Sequence, residues 1–206
     1  MDRKQHWEDV YRQKADDAVS WFQVHPDVSL ELIRAARLAP ADPIIDVGGG
    51  ASRLVDHLLA AGHTDLTVLD ISEAALERAG ARLGKAALKV NWLVADITAW
   101  KPRRLYRLWH DRAVFHFLTE PADRAAYRLA LDAALAPGGT AIVASFALDG
   151  PERCSGLPVQ RYSSASLAAE LGTGYKLRQS HSEDHVTPQT RIQRFQYSVF
   201  ERQRSA

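Results

Sequence analysis

Apolar residues recur at two different spacings along this chain, and the spacing switches from segment to segment. In the first forty residues Trp7, Val10 and Tyr11 repeat at helical intervals, and beyond the His25-Pro26 break so do Leu30, Ile33 and Leu38. Pro40 and Pro43 close that stretch. A regular alternation follows. Residues 43–48, 66–70, 90–95, 105–110 and 140–146 are short apolar runs that read as strands. Amphipathic stretches separate them: one over 52–61, one opened by the capping residue Ser72 and the early acid Glu73, and one over 121–135 that stops at Pro137-Gly138-Gly139. Strand alternating with helix predicts right-handed crossovers and a parallel sheet covered on both faces, a doubly wound α/β fold. Residues 175–182 and 191–200 are two further strand candidates, joined by the turn signal Val186-Thr187-Pro188-Gln189. With no helix between them they predict a terminal antiparallel hairpin on the parallel sheet.

The chemistry concentrates where the first strand ends. Ile44-Ile45-Asp46-Val47 runs into Gly48-Gly49-Gly50, and a helix starts directly afterwards. Glycine permits φ > 0 and lets a ligand lie against bare backbone, and the carboxyl ends of parallel strands are where such sheets bind ligands. A dinucleotide fingerprint needs glycine at position 53, where Arg53 stands, and the G-K-[ST] of a phosphate loop is absent. Asp46 just before the glycines would repel a pyrophosphate but suits a cofactor bearing an ammonium and a sulfonium. Asp70 closes the second strand about 20 residues beyond the glycines, where a carboxylate can accept from both hydroxyls of a ribose. Asp96 closes the third, placed to accept from an adenine amino group, with Ile71 and Ile97 offering apolar faces to the ring. A single strand-terminal Asp often only caps the next helix. Three on successive strands, the first beside a glycine turn, point to a ligand.

Bulk properties narrow the class. At 206 residues, 46% hydrophobic and 25% charged, the chain fits one soluble domain spanning 1–206, and a formal net charge of +1 provides no field to draw it to nucleic acid or a membrane. The polar opening lacks a signal-type apolar core, and no run approaches the ~20 apolar residues of a membrane span. Cys154 is the single cysteine, unable to form an internal disulfide or a thiolate metal cage, so a cytoplasmic setting is expected.

The run Asp46–Gly50, then Asp70, then Asp96-Ile97, then Leu135-Ala136-Pro137-Gly138-Gly139 before a strand, resembles the class I S-adenosylmethionine-dependent methyltransferases. The resemblance extends from about residue 40 to the end. It implies a Rossmann-like methyltransferase fold: a seven-stranded, mostly parallel sheet with a C-terminal antiparallel hairpin. It also implies that Gly48, Gly49 and Gly50 pack under the methionine part of the cofactor, that Asp70 holds the ribose and that Asp96 with Ile97 frames the adenine. Many members carry glycine where Ser52 stands, and Ser52 is expected to cap the following helix. Trp7, Tyr11 and Trp21-Phe22 resemble the amino-terminal helices that small-molecule members fold over the cofactor, so residues 1–40 are expected to form a lid and Trp21 to touch the cofactor.

The acceptor is expected beyond the fourth strand, in Trp109-His110-Asp111-Arg112-Ala113-Val114-Phe115-His116. Methyl transfer is an in-line displacement governed by positioning, and it needs a base only when the acceptor arrives protonated. His110, Asp111 and His116 are the candidates. His116 matches a position where many family members place a histidine near the methyl group, while packing under the sheet edge is its plain alternative. Arg112 is read as a partner for Asp111. Cys154 lies in a glycine- and proline-rich loop and is read as inert. His181-Ser182-Glu183-Asp184-His185 lacks the H-E-x-x-H spacing and is read as a solvated hairpin loop, so no metal is expected. The leading expectation is methyl transfer from S-adenosylmethionine, yielding S-adenosylhomocysteine, to a small molecule. Protein-lysine methylation is the alternative within the class. A nucleotide-dependent oxidoreductase and a non-catalytic cofactor-binding protein are the alternatives outside it.

Overall fold

A computed structural model describes residues 2–204. Two helices come first, α1 (Arg3–Gln13) and α2 (Asp27–Ala35). The alternating body follows: β1 (Ile44–Val47), α3 (Leu54–Ala60), β2 (Leu66–Asp70), α4 (Glu73–Leu83), β3 (Val90–Val94), β4 (Tyr106–Arg112), α5 (Pro121–Ala134) and β5 (Leu135–Phe146). A short ribbon of β6 (Arg153–Cys154) and β7 (Leu157–Pro158) and the helix α6 (Ser164–Leu171) lead to the final hairpin, β8 (Tyr175–Val186) and β9 (Ile192–Arg202). The seven strands of the main sheet lie in the order β3-β2-β1-β4-β5-β9-β8, parallel through β5 and antiparallel from β5 to β9 to β8. The topology switches between β1 and β4, so a crevice opens at their carboxyl ends.

The period-2 alternation of the strands sorts side chains onto two cores. Ile45, Val47, Leu69 and Trp109 point to the face covered by α5 and α6, against Tyr127, Leu131 and Leu167. Ile44, Val68 and Leu108 point to the face covered by α2, α3 and α4, against Ile33, Leu54, Leu58 and Leu76. Each such fully buried side chain stabilises the fold by about 1.5–3 kcal/mol in transfer terms. As expected, Ser72 caps α4, its Oγ accepting from the Ala75 amide at 3.2 Å. Ser52 Oγ accepts from the Leu54 amide at 3.1 Å at the start of α3.

Three local expectations are corrected. Pro137-Gly138-Gly139 does not end a helix; α5 stops at Ala134 and the triplet lies inside β5. There the register against β4 jumps from Leu135 to Thr140, because Pro137 has no N–H to offer and Gly138 takes a φ of 75°. The loop containing Cys154 is a two-stranded ribbon, turned by Ser155 and Gly156 at φ 48° and 78°. The His181–His185 stretch is not a solvated loop but part of β8. His181 is exposed, whereas Glu183 and His185 turn inward, and His185 Nε2 meets the carbonyl of Ser20 at 2.7 Å.

Candidate active site

The glycine turn closes tightly under the crevice. The amides of Gly48 and Gly49 both donate to Leu69 O, at 2.6 and 3.3 Å, tying the end of β1 to β2. Gly48 and Gly50 adopt φ of 67° and 45°, conformations that side chains rarely tolerate. A Cβ on Gly48 would stand 1.9 Å from Val114 Cγ2, and one on Gly50 would stand 2.7 Å from Tyr11 Oη and 2.9 Å from Asp70 Oδ2. Arg82 of α4 holds the exit of the turn, donating to Ala51 O at 2.9 Å and Ser52 O at 2.7 Å while pairing with Asp56.

Asp70 is 6% exposed and accepts the Ser72 amide on Oδ1 at 2.8 Å. Among the described residues no lysine or arginine pairs with it. Burial pushes its carboxyl up to about 7; the Ser72 amide opposes this, and the charges of Asp46 and Glu8 add to it. A buried carboxylate without a counter-ion, facing a cleft, is suited to a pair of neutral hydroxyl donors, which makes the site fit a ribose. Asp96 takes the amide and hydroxyl of Thr98 on Oδ1 at 2.9 and 2.7 Å, and Arg3 reaches its Oδ2 at 3.5 Å. Ile71 and Ile97 line the same cleft.

Helix α1 covers the opening and is fixed at its first residue and at its middle. Arg3 binds Asp123 as well as Asp96. Glu8, 7% exposed, caps the N-terminus of α4 from outside, its Oε1 accepting the Glu73 amide at 2.6 Å. Arg78 of α4 returns the contact by pairing with Asp16 at 3.1 Å. Under the lid lie two joined compartments. One holds Asp70, Ile71, Asp96 and Ile97; the other holds Asp46, Gly49 and His110. Tyr11, Trp21, Gly48 and Arg112 line both. Gly50 lines neither, since Tyr11 covers it.

The predicted base candidates separate. His110 lines the Asp46 compartment, its Nδ1 2.7 Å from Asp46 Oδ1 and its Nε2 2.9 Å from Ser29 Oγ, so both ring nitrogens are engaged. Asp111 lies on the opposite face of β4 and lines neither compartment. Its oxygens accept from the Val114 amide at 2.8 Å, the Phe115 amide at 3.1 Å and Tyr127 Oη at 2.7 Å, while burial pushes its carboxyl up to about 6. It orders the loop after β4. His116 is fully buried beside Phe117 and Phe146, outside both linings; Nδ1 accepts the Phe146 amide at 3.3 Å and Nε2 has no partner among the described residues. Burial pushes its imidazole down to about 3, so it is neutral.

Arg112 does not pair with Asp111, against expectation, because successive strand residues face opposite ways. Its Nε donates to Tyr197 Oη at 2.9 Å and its Nη1 to Trp21 O at 3.1 Å. Cys154 is brought to the cleft wall by the β6–β7 ribbon, and burial pushes its thiol up to about 11. The inward-facing role of Arg112 was within reach of the alternation: it is two residues from His110 on the same strand. The inward role of Glu8 was not, since its partner is the backbone of a distant helix.

Comparison with known proteins agrees with this geometry. Residues 44–139 match the family model described as a methyltransferase domain. A curated mouse protein, "eEF1A lysine and N-terminal methyltransferase", is 26% identical over 95 residues, which is 45% of this chain but only 13% of that protein's length. Among solved structures, the N-methyltransferase NodS of Bradyrhizobium japonicum, in complex with S-adenosylhomocysteine, superposes with a TM-score of 0.72 at 17% identity, over 98% of this chain and 99% of that one. The 1,6-didemethyltoxoflavin-N1-methyltransferase of Burkholderia thailandensis gives 0.70 at 17% identity, over 98% and 84%. A structure described under the conversion of a disulfide bond into a thioacetal group during echinomycin biosynthesis gives 0.78 at 20%, over 98% and 93%. Residues 44–139, just under half of the chain, thus match a methyltransferase domain, and the solved structures share the fold of the whole described chain.

Proposed function

We propose that this protein transfers the methyl group of S-adenosylmethionine to a small-molecule acceptor. The observation that carries the reading is the lid: α1 is pinned by Arg3 and Glu8 across the strand ends, leaving a partly covered aromatic cleft. When bound, S-adenosylmethionine supplies an electrophilic methyl on a sulfonium. The chain's residues bind and orient. In this reading Asp70 holds the ribose hydroxyls, Asp96 with Ile71 and Ile97 frames the adenine, and Gly48–Gly50 with Asp46 receives the methionine end. Trp21 closes over the centre. His110 braces Asp46 against α2 through Ser29, a positioning role; Asp111 and His116 build the loop on which the acceptor rests.

The curated relative that acts on lysine keeps a protein acceptor as the second reading. An oxidoreductase is disfavoured by Arg53, whose guanidinium lies 5.6 Å from the Phe22 ring where a dinucleotide turn needs glycine. A cytoplasmic location is part of the same proposal, supported by the single cysteine; among the described residues no helix is long and apolar enough to cross a membrane. The test is to incubate the protein with methyl-labelled S-adenosylmethionine and a cell extract split into small-molecule and protein fractions. Label in the small-molecule fraction supports the proposal. Label confined to proteins moves the assignment to the second reading.

A further inference from the structure

The inward-facing members of the His181–His185 stretch meet the lid. β9 runs antiparallel to β5, so the tip of the β8–β9 hairpin stands at the carboxyl ends of the parallel strands, where the cleft opens. Pairing of β9 with β5 ends at Phe146 and Phe195, while β8 and β9 stay paired out to Val186 and Ile192, so the tip overshoots the sheet. There it reaches the lid segment 14–26, which joins α1 to α2.

That segment has little structure of its own: a short 3-10 turn over Asp16–Ala18 and a bond from the Phe22 amide to Val19 O at 3.2 Å. Four of its carbonyls accept instead from side chains of distant elements. Gln189 Nε2 donates to Ala18 O at 3.1 Å, His185 Nε2 to Ser20 O at 2.7 Å, Arg112 Nη1 to Trp21 O at 3.1 Å and His57 Nε2 to Val24 O at 3.0 Å. Gln23 in turn donates to Glu183 at 2.7 Å. Gln189, His185 and Glu183 all belong to the hairpin, which therefore supplies most of what holds the segment in place.

His185 makes the shortest of the four carbonyl contacts and is 5% exposed, its ring edge-on to Phe195 with centroids 6.1 Å apart. A carbonyl can only accept, so Nε2 carries the proton. Burial and the charge of Arg112 hold the imidazole below its ordinary range, which leaves it neutral with Nε2–H as donor. The residue after its partner is Trp21, which lines both compartments and packs on Trp7 at 5.7 Å and Tyr11 at 6.2 Å.

Resting on the cofactor reading of this cleft, we propose that His185 is a positioning residue: by holding the Ser20 carbonyl it fixes Trp21 against the cofactor, so the C-terminal hairpin sets one wall of the binding cleft. Trp21 makes the contact, and His185 acts through the backbone. Releasing Ser20 O leaves the carbonyl to water and lets the segment carrying Trp21 move away from Trp7 and Tyr11.

The test uses the full chain, calorimetry with S-adenosylhomocysteine, and amide hydrogen exchange read on peptides from residues 14–26. In His185→Ala this segment should exchange at least about tenfold faster without ligand, peptides from β1 and β4 should keep the wild-type rate, and S-adenosylhomocysteine should bind about fivefold more weakly. His185→Gln carries a side-chain N–H at the same reach and should recover most of both losses. If His185→Ala does not fold, Gln189→Ala takes its place and should speed exchange in the same segment about threefold; no change there would overturn the proposal. Unchanged exchange in a folded His185→Ala, faster exchange with unchanged affinity, or equal losses in the Ala and Gln variants would also overturn it and leave the cofactor reading standing. A wild-type protein that does not bind S-adenosylhomocysteine would remove the cofactor reading and the proposal together.

Discussion

With the ribose held as proposed, Asp70 would tie cofactor binding to pH in a way that follows from its surroundings. Its carboxyl titrates near 7 instead of 3.8 because it is buried with no cation. Ribose hydroxyls need the ionised form as acceptor, so in the empty site a proton competes with the ligand. For a group titrating at 7, about a tenth is protonated at pH 8 and about nine-tenths at pH 6, so the dissociation constant of S-adenosylhomocysteine should rise about tenfold over that range, or about 1.4 kcal/mol. Binding at pH 7 should release about half a proton, read by calorimetry in buffers of different ionisation enthalpy. The stability of the empty protein runs the other way. With the folded value above the unfolded one, this group's contribution is fully present below 3.8 and is lost as pH rises through 7. Asp70→Asn isolates the effect from Asp111, which titrates nearby. The variant should bind about tenfold more weakly at pH 8, show a flat affinity profile between 6 and 8, and unfold at a higher temperature when empty. An equal pH slope in wild type and variant, with no proton released, would refute the argument.

Three further outcomes follow from the packing. Asp111→Ala strands two amides and the Tyr127 hydroxyl in a dry interior and should lower unfolding free energy by about 2–4 kcal/mol in urea melts; a loss below about 1 kcal/mol would contradict the loop-ordering role. His116→Phe removes the unpartnered Nε2 but also the acceptor of the buried Phe146 amide, so unfolding free energy should fall by about 1–3 kcal/mol, with the fold retained. If turnover nonetheless collapsed with the fold and cofactor affinity intact, His116 would return to the acceptor site. Glu8→Ala removes the external cap of α4 and should loosen the lid, weakening S-adenosylhomocysteine about fivefold by about 1 kcal/mol; unchanged affinity would mean α1 is held by Arg3 and Tyr11 alone.

Much of the fold was legible because local signals agreed with the global one. The apolar runs from β1 to β5, the capping Ser72 and the missing helix before β9 each point to one topology. The cleft floor was legible for the same reason, since Gly48, Asp70 and Asp96 are specified by strand ends. What escaped the sequence depends on tertiary partners. Helix α6 starts with a Ser163–Ser166 capping box in which serine replaces the usual acid, and so carries a weak signal. Pro137-Gly138-Gly139 carries the signature of a break yet sits in β5, because β5 bulges there, advancing from Leu135 to Thr140 while β4 advances only from Tyr106 to Leu108. The difference between His110, in the cleft, and His116, in an aromatic slot, is decided by the turn after β4, where Ala113 takes a φ of 80° under the hold of Asp111. No spacing rule reads that.

The central claim, that the cleft under α1 is built for S-adenosylmethionine, is tested most directly by calorimetric titration with S-adenosylmethionine and S-adenosylhomocysteine, with NAD as control. The account predicts one site per chain for the first two, in the micromolar range or tighter, weakened about tenfold at pH 8 in Asp70→Asn, and no heat from NAD. Binding of NAD, or silence from both adenosyl ligands in a folded protein, would contradict it.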